Sequence, residues 1–124
     1  MKVLCVCALG QHRSKLAANY LADKGFDTRY RGSQTNSSNP ITKEDIAWAD
    51  ILVFARARHK TLVEDRFGEF NKQSFVLDVT DDPAKIPEIW RRVLLEKPDT
   101  FYQEYTRPLV EEKLKKIFSL LKSK

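Results

Sequence analysis

The sequence predicts a single doubly wound α/β domain over residues 1–124, with a parallel sheet of about four strands in the order 2-1-3-4 and helices on both faces. Three observations predict it. Short apolar runs of strand length alternate with helix-patterned segments along the chain. A chain of 124 residues suffices for one core and is too short for two. The first apolar run also passes through a short loop directly into a helix, as a parallel β-α-β unit opens.

Taken in order, residues 2–7 read as the first strand, and residues 14–24 as a helix that stops at Lys24-Gly25. Asp27 to Gly32 reads as the second strand, and the polar, turn-rich stretch Ser33 to Pro40 as a loop. Thr42 has the features of an N-cap, with Glu44 and Asp45 in the first turn of a short helix to Ala49. Ile51-Leu52-Val53-Phe54 is a continuous apolar run suited to a buried parallel strand. A helix from about Arg58 to Phe67 ends near Gly68, and Ser74 to Leu77 forms the fourth strand. Asp78 to Pro87 is an acidic loop, and Glu88 to Glu96 a further helix. After Pro98 and Pro108, Leu109, Val110, Leu114, Ile117, Phe118 and Leu121 make one apolar stripe at helical spacing. Its opposite face is rich in lysine, and the stripe reads as a helix covering the sheet rather than one lying on a membrane.

Composition narrows the function. Hydrophobic residues make up 42% and charged residues 31%, the balance of a soluble globular domain, and no apolar run approaches the ~20 residues of a membrane span. The net charge of +5 favours anionic partners without indicating nucleic acid or membrane. The only cysteines, Cys5 and Cys7, are too close along one strand to bridge without strain. Free thiols and the lack of a signal-peptide pattern lead us to expect a cytoplasmic protein. Two cysteines and the distant His12 and His59 lack zinc-ligand spacing, so no metal or other cofactor is expected.

The chemistry concentrates in Cys7-Ala8-Leu9-Gly10-Gln11-His12-Arg13-Ser14. A loop between a strand and a helix N-terminus turns several backbone N–H groups into one concavity of phosphate size. Cys7 at its start would lie beneath a bound oxyanion, and Arg13 at its end would hold the anion's oxygens bidentately. Helix N-terminus, amide donors and arginine together favour a thiolate. Ser14 can donate a hydrogen bond to that sulfur as it leaves. The set suits a nucleophilic cysteine that takes up a phosphoryl group and passes it to water, without a metal. The leaving oxygen needs a proton, and Asp81 and Asp82 in the loop after the fourth strand are the candidate general acids. His12 is expected to be exposed at the loop tip.

With these residues identified, the chain resembles the low-molecular-weight protein tyrosine phosphatases. Cys7, Arg13 and Ser14 match the family's Cys-x5-Arg-Ser signature, Ala49 to Val53 leading to Arg58-His59 resembles its third strand and following helix, and Asp82-Pro83 resembles its Asp-Pro acid loop. The resemblance covers most of residues 1–83. It implies hydrolysis of phosphotyrosine in phosphorylated protein substrates through a phosphocysteine. Gly10 stands where the family carries asparagine; it keeps the left-handed shape of the loop while losing that side chain's hydrogen bonds. His12 replaces a second cysteine, and Lys15 a proline. The Asp-Pro register points to Asp82, and counting from the strand end points to Asp81. Trp90, Tyr102 and Tyr105 are assigned to core packing rather than to an aromatic wall. The alternatives are a phosphoserine phosphatase of the same fold, an arsenate reductase, which would need further cysteines, and a phosphate-binding module without turnover.

Overall fold

The computed structural model describes residues 1–122. Its sheet has four parallel strands, β1 (Lys2–Cys7), β2 (Asp27–Gly32), β3 (Ile51–Phe54) and β4 (Gln73–Val76), in the predicted order β2-β1-β3-β4. Helices α1 (Arg13–Asp23), α2 (Lys43–Trp48) and α3 (Ala57–Phe67) make the crossovers. Helices α4 (Glu88–Glu96), α5 (Pro98–Phe101) and α6 (Arg107–Lys122) follow the sheet.

Alternation along β1 organises the core. Val3 and Cys5 face the layer of α1 and α6, where Leu21, Val110, Leu114 and Leu121 are fully buried. Leu4 and Val6 face the layer of α2 and α3, with Ile46, Phe54 and Val63. A strand buried on both faces reads as an unbroken apolar run, as Val3 to Val6 does.

Thr42 and Asp45 close a capping box on α2: the Asp45 N–H donates to Thr42 Oγ1 at 3.1 Å, and the Thr42 N–H to Asp45 Oδ2 at 3.0 Å. Arg29 and Arg31 of β2 pair with the same carboxylate at 3.1 and 3.0 Å, tying α2 to the sheet edge. Burial alone would raise the Asp45 pKa, but the Thr42 hydrogen bonds and the two arginines outweigh it and hold the carboxyl below its usual range.

The sequence reading needs three adjustments. β4 begins one residue early, so Leu77 follows the strand. The acidic loop contains a turn of 3₁₀ helix, Pro83–Lys85. The C-terminal region is one helical run in which a π turn, Tyr102–Thr106, joins α5 to α6. Pro108 explains the π turn. It lacks an N–H, and its ring would crowd the carbonyl four residues back in a regular helix; a wider turn there makes room.

β1 is central, and the chain leaves it toward β2 on one side and β3 on the other. The crevice beyond the carboxyl ends of β1 and β3 is the topological switch point. Cys7, the last residue of β1, stands at its edge.

Candidate active site at the carboxyl end of β1

Residues 8–12 curl between Cys7 and α1, and their support comes from the segment after β2. The N–H groups of Ser33 and Gln34 donate to the carbonyls of Cys7 and Ala8 at 2.8 and 3.1 Å. Ser37 Oγ donates to the Leu9 carbonyl, and Gln11 Nε2 to Ser38 Oγ. Gly10 has φ +69°, and a Cβ there would fall on the Gly32 nitrogen and lie 2.5 Å from the Arg31 carbonyl carbon. Glycine is therefore required twice, by backbone conformation and by the close approach of β2. Ser37 and its neighbours thus brace the loop from outside it.

Cys7 is 3% exposed. The Gly10 N–H donates to its sulfur at 3.3 Å, and the thiol donates to Ser14 Oγ at 3.1 Å; a thiolate would accept from that same hydroxyl. α1 has neither a side-chain cap nor an acid in its first turn, whereas α2 has both. The positive end of α1 is thus left for an anion. Arg13, the first residue of α1, is 3% exposed. Its Nη1 donates to the Val79 carbonyl at 2.9 Å, its Nη2 lies 3.3 Å from Asp81 Oδ1, and its buried Nε has no partner among the described residues.

The structure separates the two acidic candidates. Asp81 is 27% exposed, pairs with Arg13 and accepts a long hydrogen bond, 3.4 Å, from the Tyr102 hydroxyl. Asp82 is exposed, and its Oδ1 accepts from the Ala84 N–H at 3.0 Å, which makes it the cap of the 3₁₀ turn. Cys7, Arg13, Asp81 and Tyr102 line one cavity of about 260 Å³, together with Ala8, Leu9, Gln11, His12, Gln34 and Arg58. Arg13 and Arg58 against Asp81 leave this lining positive, as an anion site requires.

The sequence reading prefers core packing over an aromatic wall for Tyr102, and the structure corrects it: the side chain lines the cavity and stacks on His12 with ring centroids 3.8 Å apart and planes 5° apart. The π turn carries it there; Pro108 is the local signal of that turn, but it does not say which side chain the turn brings to the cavity. Trp90 and Tyr105 do pack against each other, and Tyr105 also lies against Phe101. His12 is exposed, as expected, but one face of its ring is covered by Tyr102, and this partial loss of solvent lowers its pKa despite the opposing pull of Asp81.

His59 is buried, and its Nδ1 accepts the Arg56 N–H at 3.1 Å. Burial first, then the charges of Arg13, Arg58 and Arg56, push its pKa from 6.5 to about 3. Because the folded value is the lower one, the unfolded chain takes up the proton first. Stability is full above pH 6.5 and falls as pH drops below it. The slope this group contributes is about 1.4 kcal/mol per pH unit. Denaturant titrations from about pH 7 to about pH 5 should show that loss, and His59→Gln should flatten it. A slope unchanged by the substitution would contradict the assignment.

Among the described residues, no group of three or more His, Cys, Asp or Glu could hold a metal ion, and no helix is long and apolar enough to cross a membrane.

No protein-family model matches the chain. No curated protein matches it either. Solved structures do. A mutant of YwlE from Bacillus subtilis superposes with a TM-score of 0.68 at 21% identity, over 98% of this chain and 99% of that one. The YwlE arginine phosphatase, as a C7S mutant with a phosphorylated active-site serine, gives 0.67 at 20% identity over 98% and 96% of the two chains. A low molecular weight protein tyrosine phosphatase from Bacillus subtilis gives 0.60 at 17% identity over 94% and 98%. The protein therefore has the low-molecular-weight phosphatase fold over nearly its whole length.

Proposed function

We infer that the protein is a cysteine-dependent, metal-independent phosphatase acting on phosphotyrosine in proteins. The observation that carries this reading is the meeting of Cys7, Arg13 and Asp81 in one cavity at the end of β1. The phosphoryl group sits over the loop amides, and Arg13 turns from Asp81 toward its oxygens. The Cys7 thiolate attacks phosphorus; the S–P bond forms as the P–O bond to the phenol breaks, and Asp81 gives its proton to the leaving oxygen. Asp81, now a carboxylate, takes a proton from water as that water attacks phosphorus. The P–S bond breaks, inorganic phosphate leaves, and Ser14 donates to the returning thiolate. The Tyr102–His12 stack and Leu9 border the place of the substrate ring.

A second reading is a protein arginine phosphatase, favoured by the likeness to YwlE. The same acid would protonate a leaving guanidine nitrogen. Arsenate reduction gains nothing from the structure: the second thiol, Cys5, is fully buried and its pKa is pushed up by burial.

Hydrolysis of an aryl phosphate with a chelator present tests the reading. Turnover that the chelator leaves intact, with phosphotyrosine peptide preferred over phosphoserine and phosphoarginine peptides, is expected. Affinity for phosphate without turnover between about pH 5 and pH 8 would overturn it in favour of a binding module.

A further inference from the structure

The catalytic cavity is the first of three that adjoin. The second, about 300 Å³, shares Gln11, His12 and Tyr102 with it. The third, about 400 Å³, shares Leu16, Asn19 and Gln103 with the second. They form one groove along the seam between α1 and the run from α5 to α6. His12, Leu16, Asn19 and Asp23 recur at helical spacing along one wall, and Asp99, Gln103, Arg107 and Glu111 along the other. From His12 to Asp23, α1 rises ~16 Å at 1.5 Å per residue. An extended chain rising ~3.3 Å per residue covers that length with about five residues.

The lining identifies the occupant. Lys15, Lys24 and Arg107 are balanced by Asp23, Asp99 and Glu111. A groove for nucleic acid or an anionic headgroup would carry an excess of positive charge. The Asn19 side chain is exposed, with no hydrogen bond among the described residues, and Gln103 lies across the groove from it. Carboxamides both donate and accept, as peptide groups do.

We propose that this groove binds about five residues of extended polypeptide flanking the phosphorylated residue of a protein substrate. The proposal rests on the phosphatase reading of Cys7. The groove leaves the catalytic cavity past the His12–Tyr102 stack, so one flank of the phosphorylated residue occupies it and the other does not.

Two measurements separate the groove from the chemistry. Affinities of fluorescent phosphotyrosine peptides are measured by anisotropy on the Cys7→Ser protein, with five residues added before the phosphotyrosine, after it, or on neither side. Aryl phosphate turnover is measured on the wild type. One flank should tighten binding about tenfold and the other should not, with little effect of added salt. Asn19→Trp, combined with Cys7→Ser, should fill the groove and erase the gain; Asn19→Ala should reduce it and serves if the larger residue disturbs folding. Equal affinity for all three peptides, or a gain that survives both Asn19 variants, would overturn the groove. Flank-dependent binding without aryl phosphate turnover would support the groove while overturning the phosphatase reading.

Discussion

Cys7→Ser is expected to lower aryl phosphate turnover on the order of 10⁴-fold while leaving the fold intact. Serine differs from cysteine by one atom, and it keeps the hydrogen-bonding contacts that the sulfur makes with Ser14 and the Gly10 N–H at 3.1 and 3.3 Å. Its hydroxyl is a far weaker nucleophile than a thiolate, and neither base lining the cavity is engaged with it: Asp81 is paired with Arg13, and the His12 ring is stacked on Tyr102. The anion cradle survives because it consists of backbone and Arg13. The variant should therefore still bind inorganic phosphate, competing with a phosphopeptide at close to wild-type concentration. Steady-state kinetics with a competition assay reads both halves. Near-wild-type turnover would exclude cysteine as the nucleophile, and loss of phosphate binding together with turnover would point to a collapsed loop.

Asp81→Asn should lower turnover about 10²-fold for substrates with a poor leaving group and much less for those with a good one. Asparagine can still accept from Arg13 Nη2, which lies 3.3 Å from Asp81 Oδ1, so the guanidinium keeps its anchor and only the transferable proton is lost. Asp82→Asn should stay within a few-fold of wild type, since asparagine caps a helical turn as well as aspartate does and the Ala84 N–H keeps its partner. A leaving-group series on both variants separates proton transfer from a general disturbance of the loop. A steep leaving-group dependence appearing in Asp82→Asn instead would move the acid to the neighbouring residue.

Much of the architecture is legible in the sequence because it rests on local patterns. Val3 to Val6 and Ile51 to Phe54 are apolar without interruption because both faces of the sheet are covered. Thr42 and Asp45 stand at the spacing of a capping box and form one. Cys7, Arg13 and Ser14 come together because the five residues between the strand end and the helix start leave the chain few paths. The remainder depends on long-range geometry. Asp81 and Asp82 are adjacent, and which one faces Arg13 is decided by the path of the loop, where Asp78 takes a positive φ of 60° and Thr80 Oγ1 accepts the Asp82 N–H. Tyr102 reaches the site through a π turn far along the chain. Ser37 reads as an ordinary turn residue until β2 brings it under Leu9.

The central claim is that the Cys7 sulfur takes the phosphoryl group. Rapid acid quench of wild-type protein during turnover of an aryl phosphate, followed by mass mapping of its peptides, tests this most directly. A phosphoryl group is expected on the peptide containing Cys7, carried on its sulfur and absent from the Cys5 thiol. Turnover with Cys7 unmodified at every quench time, or a phosphoryl group on another side chain, would contradict it.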